Sequence, residues 1–145
     1  ILPEMQVNVI DSVKIGDRDS ETEHKAEFVS CNPGRLDMNN YWRRAIGGGF
    51  MMYNLKSMPD KHVTLWITTR AADQDVYSYT VRVDGRLMKT YELRGDRNNL
   101  ATDYFYERID LPKDLTQGKN DITVKIEAIG RGRTADVLDL RLQRR

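Results

Sequence analysis

Hydrophobic and polar residues trade places every second position over much of this chain. In HVTLWIT (His62 to Thr68), Val63, Leu65 and Ile67 alternate with Thr64, Trp66 and Thr68, which is the two-residue period of a strand with one face turned to a core. In YSYTVRVDGRLMKTYEL (Tyr77 to Leu93), Tyr79, Val81 and Val83 alternate up to Asp84-Gly85. That dipeptide tolerates positive φ and so predicts a tight hairpin with a return strand to Leu93. DYFYERIDLP is aromatic and β-branched and stops at Pro112, which cannot donate to a ladder. Ile122, Val124 and Ile126 alternate after a glycine turn, and Leu138, Leu140 and Leu142 alternate with charged neighbours in the last strand. Five or six short strands, turn signals between them and no amphipathic helix predict an all-β antiparallel sandwich or jelly roll, of the galactose-binding-domain-like kind.

Composition narrows this picture. A chain of 145 residues with 39% hydrophobic residues fits one domain over residues 1–145 and fills one core without staples. Lys and Arg number 23 against 22 Asp and Glu, so no global field recruits nucleic acid or an anionic membrane. No stretch approaches the roughly 20 apolar residues of a membrane span. The single Cys31 excludes an internal disulfide and a multi-cysteine zinc site.

The order of the segments carries a resemblance. SETEHKAEFVSCNPGR (Ser20 to Arg35), WRRAIGGGFMMYNL, YTVRVDGRLMKTYEL, IDLPKDLTQGKNDITVKIEA and VLDLRL resemble the C-terminal β-sandwich region of bacterial β-L-arabinofuranosidase-type enzymes (glycoside hydrolase family 127-like), from about Val13 to Leu142. The resemblance implies a non-catalytic accessory domain forming the C-terminal part of a larger glycoside hydrolase. Its partner would be the catalytic barrel of the same parent chain, whose cysteine and glutamate cluster binds zinc. A periplasmic or secreted setting follows from the same resemblance.

Two functional readings stand side by side. In the first, the sandwich packs against the catalytic barrel. In the second, it binds oligo- or polysaccharide through Tyr41, Trp42, Arg43, Tyr77 and Tyr104, aromatic rings stacking on the apolar faces of sugars and the arginine donating to their hydroxyls. Packing is preferred, because most aromatics fall on strand positions and only Tyr41 and Trp42 fall in a loop. An independent enzyme ranks last, since no nucleophile and base stand at a recognisable spacing.

Other motifs are weaker. Gly47 to Gly49 lack the following helix and the Gly-Lys-Ser/Thr of a phosphate loop and read as a bulge or a corner entering the sheet. Asp17, Asp19, Glu21 and Glu23 crowd one segment near the first strand. A solvated acidic loop is the plain reading, and a structural calcium site is the alternative, because hard cations take several oxygen ligands. His24 and His62 stand outside any metal-binding motif, and the GRGR tract at Gly130 to Arg133 reads as a hairpin loop.

Overall fold

The computed structural model of the protein describes residues 1–70, 76–94 and 104–145. After a 3-10 turn at Pro3–Met5, nine strands and two short α-helices run in the order β1 (Val9–Lys14), α1 (Arg18–Glu23), β2 (Glu27–Arg35), β3 (Tyr41–Lys56), β4 (Val63–Arg70), β5 (Val76–Val83), β6 (Arg86–Arg94), β7 (Phe105–Asp110), α2 (Lys113–Thr116), β8 (Asp121–Ala128) and β9 (Asp136–Arg144) among the described residues. Every strand pairing is antiparallel, along the path β6-β5-β8-β3-β9-β4-β7, with β1 added to β9 and β2 to β3. The result is the antiparallel sandwich that the alternation predicts. One layer is β6-β5-β8-β3-β2, the other is β1-β9-β4-β7, and β3 bridges them through Arg43 paired with Val137.

The inward residues of each strand meet as one core. Met51, Tyr53 and Leu55 of β3, Val81 and Val83 of β5 and Ile122, Val124 and Ile126 of β8 pack with Val13, Leu65, Ile67, Leu140 and Leu142 of the other layer. Such burial removes apolar area from water at about 25 cal/mol per Å² and is the main stabilising term. Asp84 and Gly85 adopt φ of 48° and 81°, so the β5–β6 hairpin turns where the sequence places it.

The glycine run is a bulge. Ala45 pairs with Cys31 and Phe50 with Val29, so residues 46–49 of β3 lie opposite Ser30 alone. Gly47 and Gly48 take positive φ, and a Cβ on Gly49 would strike the Val29 carbonyl and Ser30. The Gly47 amide donates to the Gly132 carbonyl at 3.2 Å, which ties the bulge to the β8–β9 connection.

The structure departs from the sequence reading in three places. The acidic segment is a helix, because the Asp17 carboxylate accepts from the Ser20 amide at 3.0 Å and caps it, satisfying one of the donors a helix start leaves open. Tyr41 and Trp42 begin a strand, paired with Arg35 and Gly34. The turn lies instead just before them, closed by the Leu36 amide donating to the Asn40 carbonyl at 2.8 Å. Finally, both faces of β4 are covered, and Trp66 is only 5% exposed. Its outer face lies under the N-terminal segment, where Met5 is fully buried.

Candidate functional site

A concavity sits where α1, β2 and the start of β3 converge. Arg43 is the residue around which it is built. Its Nε and Nη2 donate to Glu21 Oε2 and Oε1 at 2.7 and 2.9 Å, and the Tyr53 hydroxyl donates to Glu21 Oε2 at 2.7 Å. The guanidinium also lies 3.9 Å from the Phe28 ring centre. A two-pronged ion pair of this kind fixes both side chains in one plane, so Glu21 anchors α1 against the strand ribbon. Burial lowers the Arg43 pKa, but the hydrogen bond and charge of Glu21 outweigh it, and the group stays cationic. Burial, together with the Glu21 charge, drives the Tyr53 hydroxyl far above its ordinary range, so it remains a donor. Burial also pushes the nearby Cys31 thiol up to about 11, which leaves it a poor nucleophile at neutral pH.

Outside this knot lies an open cleft of about 640 Å³, lined by Tyr41, Arg18, Arg35, Thr22, Phe28 and Gly34 among others. Arg35 stands 5.8 Å from the Tyr41 ring centre, and its Nε donates to the Asp37 carbonyl. Gly16, at φ 81°, is pressed against Tyr41, and a Cβ there would overlap the tyrosine's own Cβ. The cleft therefore offers an aromatic surface flanked by guanidinium donors.

The residues singled out in the sequence distribute unevenly. Tyr41 and Arg43 line this cleft together. Trp42, one residue on, points to the other face of β3, where its indole lies across Gly34 and carries the Arg44 guanidinium 4.3 Å from its ring centre. Gly34 and Arg44 therefore cover part of the indole, which is half-buried. Tyr77 is fully buried in the core and has no ring face to offer a sugar. Tyr104 is 38% exposed and lines a different cleft, on the outer face of the β1-β9-β4-β7 layer. The four acidic residues do not converge. Asp17 caps α1, Glu21 is held by Arg43 and Tyr53, and Asp19 and Glu23 are exposed. Among the described residues no three His, Cys, Asp or Glu side chains group as a metal site, so the calcium reading gives way to capping and ion pairing.

Sequence reasoning missed three features. Asp136, almost fully buried, accepts from Arg44, Arg70 and Arg133 at 2.9, 3.0 and 3.2 Å. This turns the GRGR tract into a structural anchor. His24 pairs with Asp11 at 2.9 Å and with the Ser20 carbonyl at 2.6 Å. Glu21 is the counterion of Arg43 from 22 positions away, a separation at which no local motif reports the contact.

Residues 4–143 match the family of unknown function DUF6805. The chain belongs to this family. No curated protein matches it. The solved structures most like this DUF6805 domain include a family 35 carbohydrate-binding module from Clostridium thermocellum. That module is 14% identical, with a TM-score of 0.64 over 81% of this chain and 90% of the other. A family 35 module from an environmental isolate is 16% identical, with a TM-score of 0.64 over 91% of each chain. A glycoside hydrolase family 115 enzyme, BtGH115A, described as a 4-O-methyl-α-glucuronidase with specificity for decorated arabinogalactans, is 16% identical. Its TM-score is 0.60 over 92% of this DUF6805 domain but only 17% of the enzyme. At these identities the likeness is one of fold: the DUF6805 domain has the jelly-roll sandwich of carbohydrate-binding modules.

Proposed function

We propose that this DUF6805 domain is a carbohydrate-binding module and that the cleft between α1 and the β2–β3 ribbon is where it holds a glycan. One observation carries the reading. Tyr41 is fixed by its packing on Gly16 at the mouth of an open cleft, with guanidinium donors of Arg18 and Arg35 beside it. A ring that is already immobilised stacks on a sugar with little further loss of rotamer freedom, and flanking donors orient the hydroxyls. The fold shared with stand-alone sugar-binding modules supports this reading over simple packing against a barrel. Attachment to a glycoside hydrolase belongs to the same proposal, supported by the similar fold occupying a minor part of BtGH115A.

Affinity electrophoresis tests it, with gels containing arabinogalactan, arabinan or pectin. The wild type is expected to be retarded in at least one gel and Tyr41→Ala to migrate freely while melting cooperatively. A wild-type chain that no glycan retards would refute the reading.

A further inference from the structure

The outer face of the β1-β9-β4-β7 layer is laid out in register rows. Lys14, Asp139, Thr68 and Tyr106 lie side by side in one row, and Ser12, Arg141, Trp66 and Arg108 form the next. The second row is roofed by the N-terminal segment. Trp66 Nε1 donates to Gln143 Oε1 at 3.0 Å, Gln143 Nε2 donates to the Val7 carbonyl at 2.8 Å, and Arg141 Nη1 donates to the Met5 carbonyl at 3.3 Å. The first row opens into a cleft of about 490 Å³, whose rim carries Tyr104, Tyr106, Asn40 and Leu138.

The floor of this cleft is preorganised. Arg141 Nε and Nη2 donate to Asp139 Oδ1 and Oδ2 at 3.0 and 2.8 Å, and both residues are largely buried. Beside them Thr68, 5% exposed, has a hydroxyl without a hydrogen-bond partner among the described residues. Buried hydroxyls are almost always paired, because an unpaired one forfeits its hydration for nothing. Among the described residues Ser57, Thr80, Tyr91 and Thr116 also carry unpaired buried hydroxyls, and Thr68 is the one of the five that lines this cleft, so it is the one a ligand here would complete.

We infer that this cleft is a second glycan subsite, which takes a neutral sugar unit. The inference rests on the carbohydrate-binding reading but uses different residues. A vicinal diol both donates and accepts, and the row supplies an acceptor in Asp139 beside a donor in Lys14, with the Thr68 hydroxyl able to do either. Tyr104 and Tyr106 supply apolar surface for the ring. The charge of Arg141 is cancelled by Asp139, which leaves no guanidinium in the described lining to grip a carboxylate on two prongs; the Ile1 ammonium donates to the Tyr106 hydroxyl at 3.3 Å and Lys14 is a single point charge, a lining that favours a neutral sugar over an acidic one. Lys14 stands two residues before Gly16 and Asn40 one before Tyr41, the pair in contact at the first cleft, so the two clefts flank one ridge.

Backbone amide chemical-shift mapping of the full chain separates the two sites. The probes are β-1,3-galactotriose, arabinotriose and, as an acidic control, digalacturonate. The neutral probes are expected to shift Lys14, Thr68, Tyr106 and Asp139 in a saturable way. Tyr104→Ala and Thr68→Val are each expected to weaken that response about tenfold, while shifts at Gly16, Arg35 and Tyr41 are unchanged. Thr68→Val removes an unpaired hydroxyl and is expected to melt no lower than the wild type. A merely structural threonine would instead lose stability and leave affinity alone, which would overturn the inference. Shifts confined to Gly16, Arg35 and Tyr41 would remove the second subsite and leave the proposed function standing. Shifts in neither cleft would remove both, and a stronger response here to digalacturonate would overturn the neutral-sugar assignment.

Discussion

Replacing Arg43 by Ala tests the central knot of the structure. The wild-type guanidinium gives two charge-assisted hydrogen bonds to Glu21, whose side chain is 6% exposed, and covers the Phe28 ring at 3.9 Å. Alanine leaves that carboxylate buried with the Tyr53 hydroxyl alone to solvate it. Removing one partner of a buried pair costs about 3–5 kcal/mol, most of it from the stranded charge. Arg43 keeps some contact with water, so the lower end applies, about 3 kcal/mol. For a chain of this length each kcal/mol lowers the melting temperature by roughly 2–4 °C, giving a fall of about 6–12 °C. Urea and thermal melts of Arg43→Ala, Glu21→Gln and the double variant read this out. Glu21→Gln in the Arg43→Ala background should recover much of the loss, because it removes the stranded charge. A loss below about 1 kcal/mol, or no recovery in the double variant, would refute the account of a desolvated ion pair anchoring α1.

Three further perturbations follow from the geometry. Gly34→Ala would push a Cβ into the Trp42 indole, and overpacking of that kind is expected to lower stability by about 1–3 kcal/mol; a neutral result in thermal melts would mean that the indole does not lie across this glycine. Cys31, its thiol pushed up to about 11 chiefly by burial, is expected to react slowly with a thiol reagent at pH 7.5 and to accelerate only as the pH approaches that value, whereas fast modification at pH 7.5 would contradict the burial that outweighs the neighbouring Arg43 charge. Burial acts to lower the His24 pKa, but the Asp11 hydrogen bond, the Ser20 carbonyl and the charges of Asp11 and Glu23 raise it above its ordinary value. Its stabilising contribution is therefore complete below about pH 6.5, the unfolded value, and is lost as the pH rises through the higher folded value. The stability gap between wild type and His24→Gln should be wider at pH 5.5 than at pH 8.5 by urea denaturation, and an equal gap at both would refute the pairing.

Much of the fold was legible because a two-residue period survives wherever a strand runs without interruption. The Asp84-Gly85 hairpin and the inward Ile122, Val124 and Ile126 follow directly from it. The last strand shows where that reasoning fails. The register between β4 and β9 slips at Thr68/Thr69, so Val137 takes the inward place and Leu138 turns to the rim of the outer cleft. A bulge changes the phase of the alternation without changing the composition that reveals a strand. Helix α1 has six residues, too few for a 3.6-residue period to register, although Asp17 three positions before Ser20 is a capping signal that could have found it. The candidate site was legible only in part. Tyr41 and Arg43 were singled out as aromatic and arginine in a short stretch, but strand alternation sends Trp42 to the opposite face. The partners that define the clefts, Glu21 for Arg43 and Asp139 beside Thr68, come from contacts distant in sequence. Trp66 illustrates the same limit: its outward position was correct, and only the three-dimensional path of residues 1–8 explains why it is buried.

The most direct measurement of the central claim is isothermal titration calorimetry of the wild type, Tyr41→Ala and Trp42→Phe with oligosaccharides from whichever glycan retards the wild type in gels. If Tyr41 is the stacking surface, its loss weakens binding by about tenfold, as expected for roughly 1.4 kcal/mol from one ring, while Trp42→Phe binds as the wild type does. Unchanged affinity in Tyr41→Ala, or a loss confined to Trp42→Phe, would contradict the account.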